Sequence, residues 1–415
     1  MEKYLLKEIV VQQSKSKVEE LLIKRTDFDF ISKLPQIVVL SGIRRCGKST
    51  LMYQIRQLNQ EIDYYLNFDD ERLLHFSVDD FQMLYETFVE LFGTQKHFYF
   101  DEIQNIKNWE SFVRRLHNEG NKIYITGSNA NLLSKELGTY LTGRHIQANL
   151  YPFSFKEYLD YYKTDFSQDD FYTTTGKAKL KVAFQNYMVE GGFPEYLQTK
   201  NTEQLKSLYN SILYRDIMVR NNITNELALR ELGYYLAGNI GKPLSYANLS
   251  SILNVKHGQT VKNYVSYFED TYLVFQLSKF DYSIKKQVIN AKKIYFIDNA
   301  LARNVSFRLH EDRGRFLENI VFLELKRRRY ELFYHKEKKE CDFVITEGGK
   351  VKQAIQVSVS IDHEQTRQRE LEGLLDALLF YNLDTGLILT EDEEEELFIK
   401  GKKVNILPVW KWLLL

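Results

Sequence analysis

The stretch Ile37-Val38-Val39-Leu40-Ser41-Gly42-Ile43-Arg44-Arg45-Cys46-Gly47-Lys48-Ser49-Thr50 decides the reading of this chain. Four apolar residues closed by Ser41-Gly42 suit a short strand buried on both faces. Gly42 to Ser49 fits G-x-x-x-x-G-K-[ST], and a helical stretch from Lys48 through Leu58 follows. The glycines let the backbone bend until successive N–H groups point at phosphate oxygens, and the new helix adds its N-terminal partial positive charge. Lys48 is then placed for the β- and γ-phosphates of ATP and Ser49 for Mg²⁺. Gly42, Ile43, Arg44, Arg45, Cys46, Gly47, Lys48, Ser49 and Thr50 are the candidate nucleotide-binding residues.

A partner element lies downstream. Phe98-Tyr99-Phe100-Asp101-Glu102 is an apolar strand ending in two acidic residues. Asp101 is the candidate Mg²⁺ ligand, acting through water, and Glu102 the group that polarises the attacking water. The next strand ends Ile125-Thr126-Gly127-Ser128-Asn129, where a polar side chain senses the γ-phosphate or orients the water: Asn129 first, Ser128 second. Arg144, in Leu141-Thr142-Gly143-Arg144, is a candidate for stabilising charge on the transferring phosphoryl group, from the same subunit or a neighbour. Arg44 and Arg45 face nucleotide, a partner or nucleic acid; the sequence leaves that open.

Working outward, apolar runs at Tyr64–Phe68, Lys96–Asp101 and Lys122–Thr126 read as further strands separated by helices, which implies a parallel sheet covered on both faces. Before them, residues 1 to about 35 read as an amphipathic helical lead-in, with Val18, Leu21, Leu22 and Arg25 at helical spacing and Pro35 as the stop. After Pro152 the pattern turns helical to about residue 240. Helix, turn, helix and a β-hairpin follow over 244–298. Then come a helix at Arg315–Arg328, strands at Glu331–His335, Cys341–Ile345 and Ala354–Ser358, a helix at Glu364–Leu379 and a strand at Gly386–Thr390. The acidic run Glu391–Glu396 reads as a solvated loop or helix face, and Trp410 and Trp412 as closing a core.

Lys+Arg and Asp+Glu both number 56 in 415 residues, so the chain is neutral. That excludes binding nucleic acid by bulk charge; any such contact needs a local patch. Two distant cysteines, Cys46 and Cys341, make no disulfide framework or metal-ligand spacing, so a reduced, cytoplasmic setting is expected. The charged N-terminus and short apolar runs predict no signal peptide and no membrane span.

The phosphate loop with its double arginine, Phe100-Asp101-Glu102-Ile103-Gln104, Thr126-Gly127-Ser128, Gly143-Arg144, Pro152-Phe153-Ser154-Phe155, Gly191-Gly192-Phe193-Pro194-Glu195 and Tyr214-Arg215-Asp216-Ile217 together resemble the bacterial and archaeal AAA+-superfamily ATPases that carry a C-terminal domain of uncharacterised function. The resemblance spans nearly the whole chain and implies ATP binding and hydrolysis, without naming a biological substrate.

In the second half, Ser245–Asp270 followed by a hairpin with Lys285, Lys286, Lys292 and Lys293 near its tip reads as a winged helix. Its function is either DNA contact, with one helix in the major groove and the wing on phosphates, or packing and protein contact. Glu318, Asp342 and Gln356-Val357-Ser358 look like a PD-(D/E)xK nuclease fold in which Ser358 replaces the lysine, so cleavage is not expected. Lys326-Arg327-Arg328-Arg329 with Lys336, Lys338 and Lys339 is either a phosphate-binding or a solvated basic face.

The expected architecture is an α/β P-loop parallel-sheet ATPase core (1–150), a helical lid (151–225), a winged helix (226–300) and a smaller, degenerate nuclease-like α/β domain (301–415). The expected function is an ATP hydrolase whose nucleotide state is coupled to recognition of nucleic acid, through 245–297 and 326–339, or of a protein, as a monomer or an oligomer. The alternatives are a non-catalytic, nucleotide-gated DNA-binding or antitoxin-like regulator, and an ATP-regulated nuclease.

Overall fold

The computed structural model describes residues 1–15, 23–26, 28–59, 64–128, 143–306 and 312–415. They form two compact units: Met1–Tyr151 with Asp270–Tyr272, and Pro152–Glu269 with Leu273–Leu415.

The first unit is built on five parallel strands in the order β2-β3-β4-β1-β5. They are β1 (Ile37–Ser41), β2 (Tyr64–Asn67), β3 (His97–Asp101), β4 (Lys122–Gly127) and β5 (His145–Asn149). Every residue of β1 is buried, as an apolar run between two neighbours requires. One face of the sheet packs Val39, Leu66, Phe100 and Ile125 against Leu6, Ile9 and Val10 of helix α1 (Lys3–Ser14) and Trp109 and Phe112 of the helix Trp109–Asn118. Because all strands run the same way, their carboxyl ends share one edge, where ligands of such sheets bind. The expected parallel α/β core is therefore present. Strand β5 escaped the sequence reading because His145–Asn149 is a half-exposed edge strand of mixed polarity.

The lead-in needs correction. Helix α1 ends at Ser14, and Val18, Leu21 and Leu22 lie outside the described residues. Arg25 is not on an amphipathic helix face; it is buried under the phosphate loop, donating to Cys46 O at 2.8 Å and to Tyr151 O at 2.5 Å.

The second unit carries two sheets. Strands β6 (Pro243–Leu244), β7 (Val274–Leu277) and β8 (Lys292–Phe296) make an antiparallel sheet, β6-β8-β7, beside helices Tyr246–Ile252 and Gly258–Asp270. The hairpin tip holds a short helix, Ile284–Ile289. Six strands form the larger sheet, ordered β13-β14-β12-β11-β10-β9: β9 (Glu331–Lys336), β10 (Glu340–Glu347), β11 (Lys350–Val357), β12 (Thr385–Thr390), β13 (Glu395–Ile399) and β14 (Lys402–Pro408). Helix Glu364–Phe380 covers it with Leu374, Leu375, Ala377 and Leu378. The acidic run is not a free loop: Glu391 pairs with Arg313, Glu394 with Lys411, and Glu395 opens edge strand β13. Trp410 and Trp412 are buried, as expected.

The motif Gly191-Gly192-Phe193-Pro194 has a structural reason. Gly191 lies at φ +65°, and a Cβ there would fall 2.2 Å from Asp298 Oδ2. Asp298 is fully buried, accepting from Gly192 N at 2.7 Å and Leu301 N at 2.9 Å, and burial pushes its carboxyl pKa up to about 6. Phe153 N donates to Gly192 O at 2.7 Å, so two motifs distant in sequence close one turn. The motif Tyr214–Ile217 lies within a π-helical stretch, Ile212–Val219.

Candidate functional site

Between β1 and helix α2 (Lys48–Asn59) the loop takes the backbone its glycines permit: Gly42 has φ +151° and Gly47 φ +98°. A Cβ on Gly42 would lie 2.2 Å from Leu150 O, so only glycine fits there. Arg45 also sits at positive φ, 61°. Cys46 is buried, with its thiol donating to Leu150 O at 3.4 Å and its pKa raised by burial. Arg25 grips the loop from beneath through the Cys46 carbonyl.

Lys48 is buried at the loop mouth. Its ammonium donates to Gly42 O and Ile43 O, each at 3.1 Å, and lies 3.7 Å from Glu102 Oε1. The register Leu66↔Phe100 and Phe100↔Ile125 brings the end of β3 between β2 and β4, beside this loop's edge of the sheet. Asp101 is fully buried there, hydrogen-bonded to the Ser49 and Thr126 hydroxyls; burial and the neighbouring Glu102 charge raise its pKa. Glu102 sits at φ 52°, ψ 38°, a backbone region costly for a non-glycine residue and frequent at functional sites. Its N–H donates to Thr126 Oγ1 at 2.9 Å, and its carboxylate accepts from Gln104 and, at 3.2 Å, from Ser128 Oγ. Burial pushes the Glu102 pKa up, but Lys48, Gln104 and Arg44 outweigh it and hold the group ionised.

Lys48, Ser49, Asp101, Glu102 and Ser128 thus converge. Ile43 is buried, Arg44 and Thr50 are half-buried and Arg45 is exposed in the same loop and helix start. Asn129 lies outside the described residues. Arg144 is not brought here: its carbonyl accepts from Ile37 N, at the start of β1, and its guanidinium donates to Asn118 Oδ1 at 2.9 Å. The five residues of β1 place it roughly 16 Å from the loop, at the amino edge of the sheet. Sequence reasoning missed Arg25 and Thr126. Thr126 was quoted in the strand end, and its position beside Asp101 was the available signal.

A family model described as an AAA domain matches residues 34–159, and one described as a domain of unknown function (DUF8612) matches residues 181–312. An uncharacterized protein of Methanocaldococcus jannaschii is 36% identical over 399 residues, covering 91% of this chain and 88% of that protein. One of Haemophilus influenzae is 31% identical over 409 residues, covering 95% and 96%. Among solved structures, the RuvB Holliday junction branch migration motor of Thermotoga maritima is 15% identical, covers 63% of this chain and 93% of that chain, and has a TM-score of 0.32. Cdc6p of Pyrobaculum aerophilum is 13% identical, covers 74% and 98%, and has a TM-score of 0.25. The AAA-domain match contains the phosphate loop and both acidic residues, and the archaeal and bacterial relatives match across nine tenths of the chain. This chain belongs to the bacterial and archaeal family of AAA-superfamily P-loop ATPases that carry a C-terminal domain of unknown function.

Proposed function

We propose that this chain binds Mg-ATP, hydrolyses it, and uses the nucleotide state to control recognition of a partner by residues 152–415. The observation that carries the reading is the pair of contacts at the sheet's carboxyl edge, Lys48 with Glu102 and Ser49 with Asp101. The residues fit the group. A hydroxyl and a carboxylate meeting are hard oxygen donors suited to Mg²⁺, and the bent loop with a buried ammonium at its mouth suits a triphosphate. Mg²⁺, when bound, neutralises charge on the phosphate oxygens. The loop amides and Lys48 would hold the β- and γ-phosphates, and Ser49 directly and Asp101 through water would hold the metal. As Lys48 turns to phosphate, Glu102 loses its cation and is released to orient a water and accept its proton. Asn129 remains a candidate for sensing the γ-phosphate or orienting the water, and Arg144, from a neighbouring subunit, for stabilising charge on the transferring phosphoryl group.

Pairing of the basic residues favours a protein over nucleic acid as the partner. Lys293 is buried. Arg327 donates to the carbonyls of Pro152 and Phe153, Arg328 to Trp412 O and Glu324, Lys336 pairs with Glu340, and Lys339 with Glu372. Lys286 lies 3.8 Å from Asp281 Oδ2, and exposed Lys285 and Lys286 both stand beside exposed Tyr282, Ile284, Val288 and Ile289. Among the described residues no helix is long and apolar enough to cross a membrane.

The test is ATP turnover with and without DNA and RNA, for wild type and Lys48→Ala. The variant loses the ammonium at the phosphates and is expected to fall by on the order of 10²–10³-fold in turnover, with ATP affinity also reduced. Wild-type turnover in Lys48→Ala would refute the site.

A further inference from the structure

Outside the nucleotide site, a second charged cluster is buried in the second unit. Glu318 reaches in from the helix Arg313–Arg327, Asp342 and Glu340 from β10, and Gln356 from β11. Glu318, Asp342 and Gln356 are the residues whose order resembles a nuclease metal site. They do come together around a cleft of about 630 Å³ lined also by Glu370 and Ser358. Nothing in the order of these residues signals what lies among them. The ammonium of Lys293, on β8, is 3.0 Å from Asp342 Oδ1, 2.9 Å from Glu340 Oε1 and 3.4 Å from Glu318 Oε1. Its side chain is 2% exposed. Burial alone pulls a lysine toward the neutral form; here Glu318 and Asp342 outweigh it and keep Lys293 charged.

A divalent metal does not fit these residues as they stand. The oxygen of Gln356 is engaged by Asp342 N at 3.2 Å, while its amide nitrogen donates to Glu370 at 2.6 Å. Asp342 Oδ2 accepts from Val357 N at 3.1 Å. Glu318 Oε1 also accepts from Tyr295 OH at 2.6 Å. Gln356 Oε1, Asp342 Oδ2 and Glu318 Oε1 each already accept from a protein donor, and a fixed positive charge already stands among the carboxylates. The same strand is anchored at that lysine and beyond it: Lys293 pairs with Pro243 across the small sheet, and Phe296 N donates to Asn319 Oδ1 at 2.9 Å.

We propose that Lys293 is the resident cation of this cluster. Its ammonium holds Glu318, Glu340 and Asp342 in place of a divalent metal and pins the three-stranded sheet to the nuclease-like one. The site therefore loads no Mg²⁺ and cuts no phosphodiester. A tethered cation of this kind makes the cluster a structural joint whose charge does not depend on metal supply.

The proposal is independent of ATP turnover, and its test reads metal stoichiometry. Mn²⁺ is titrated without nucleotide into full-length wild type, E318Q, K293M and K293M/E318Q, with bound ion counted by electron paramagnetic resonance. Wild type and E318Q are expected to bind the same number of ions. K293M is expected to bind one more per chain, and K293M/E318Q to lose it. If K293M does not fold alone, Mn²⁺ must restore its thermal transition and must fail to do so in K293M/E318Q. Wild-type Mn²⁺ binding that E318Q abolishes would overturn the proposal, showing a working metal site. So would a folded K293M with no added ion, or an unfolded one that Mn²⁺ does not rescue.

Discussion

Arg25 holds the phosphate loop from beneath by donating to Cys46 O and Tyr151 O. Those acceptors lie 21 and 126 residues away and leave no local signal, whereas Lys48 and Glu102 carry one: a loop of fixed spacing after one apolar strand, and two acids at the end of another. Lys293, read as either a phosphate contact or a packing residue, is hidden in the same way. Hairpin position suggested a phosphate contact, but its carboxylate partners include Asp342, 49 residues on. Charge on a side chain is readable from sequence; whether a distant fold segment has neutralised it is not. The Arg25 account predicts that Arg25→Ala leaves two carbonyls without their charged donor, at roughly 1–3 kcal/mol each. A lower thermal midpoint and weaker ATP binding should appear together. Arg25→Lys, which keeps charge but not the fork, should recover only part of both. Unchanged melting and affinity in Arg25→Ala would remove its role under the loop.

At the scale of elements, the buried apolar strands were found, as was the edge strand β9, but β5, β13 and β14 were not. β5, β13 and β14 are edge or near-edge strands with half-exposed residues, where alternation is weak. The turn at Gly191–Gly192 shows an element held by one buried acid. The Asp298 carboxyl pKa is raised by burial from 3.8 to about 6, so the native chain binds its proton more tightly than the unfolded chain. Its contribution to stability is complete below about pH 4 and is lost as pH rises to about 6, a change of roughly 3 kcal/mol. Urea denaturation across that range should show wild type losing stability relative to Asp298→Asn, whose amide does not titrate. Parallel stability curves for the two proteins would show that folding leaves the Asp298 pKa unshifted.

At the scale of the molecule, the neutral total charge conceals extensive pairing rather than a basic face. Of the four hairpin lysines, only Lys285 and Lys286 are exposed; Lys292 is half-buried and Lys293 is enclosed. Two phosphate contacts would contribute a slope of about −1.8 to log K against log salt on duplex DNA. DNA binding should accordingly be weak, with a shallow salt dependence that Lys285→Ala with Lys286→Ala abolishes. A steep slope that survives this pair of changes would place a nucleic-acid surface elsewhere and favour DNA over a protein partner.

The central claim is that Glu102 is held by Lys48 until nucleotide arrives and then serves water activation. The most direct measurement is single-turnover hydrolysis of ATP by wild type and Glu102→Gln, with ATP affinity measured on the same preparations. Glutamine keeps the size and hydrogen bonding but cannot take a proton. The account predicts hydrolysis slower by about 10²–10⁴-fold with affinity retained. Hydrolysis at the wild-type rate would contradict it, and equal losses of binding and hydrolysis would make Glu102 a structural or metal-holding residue instead.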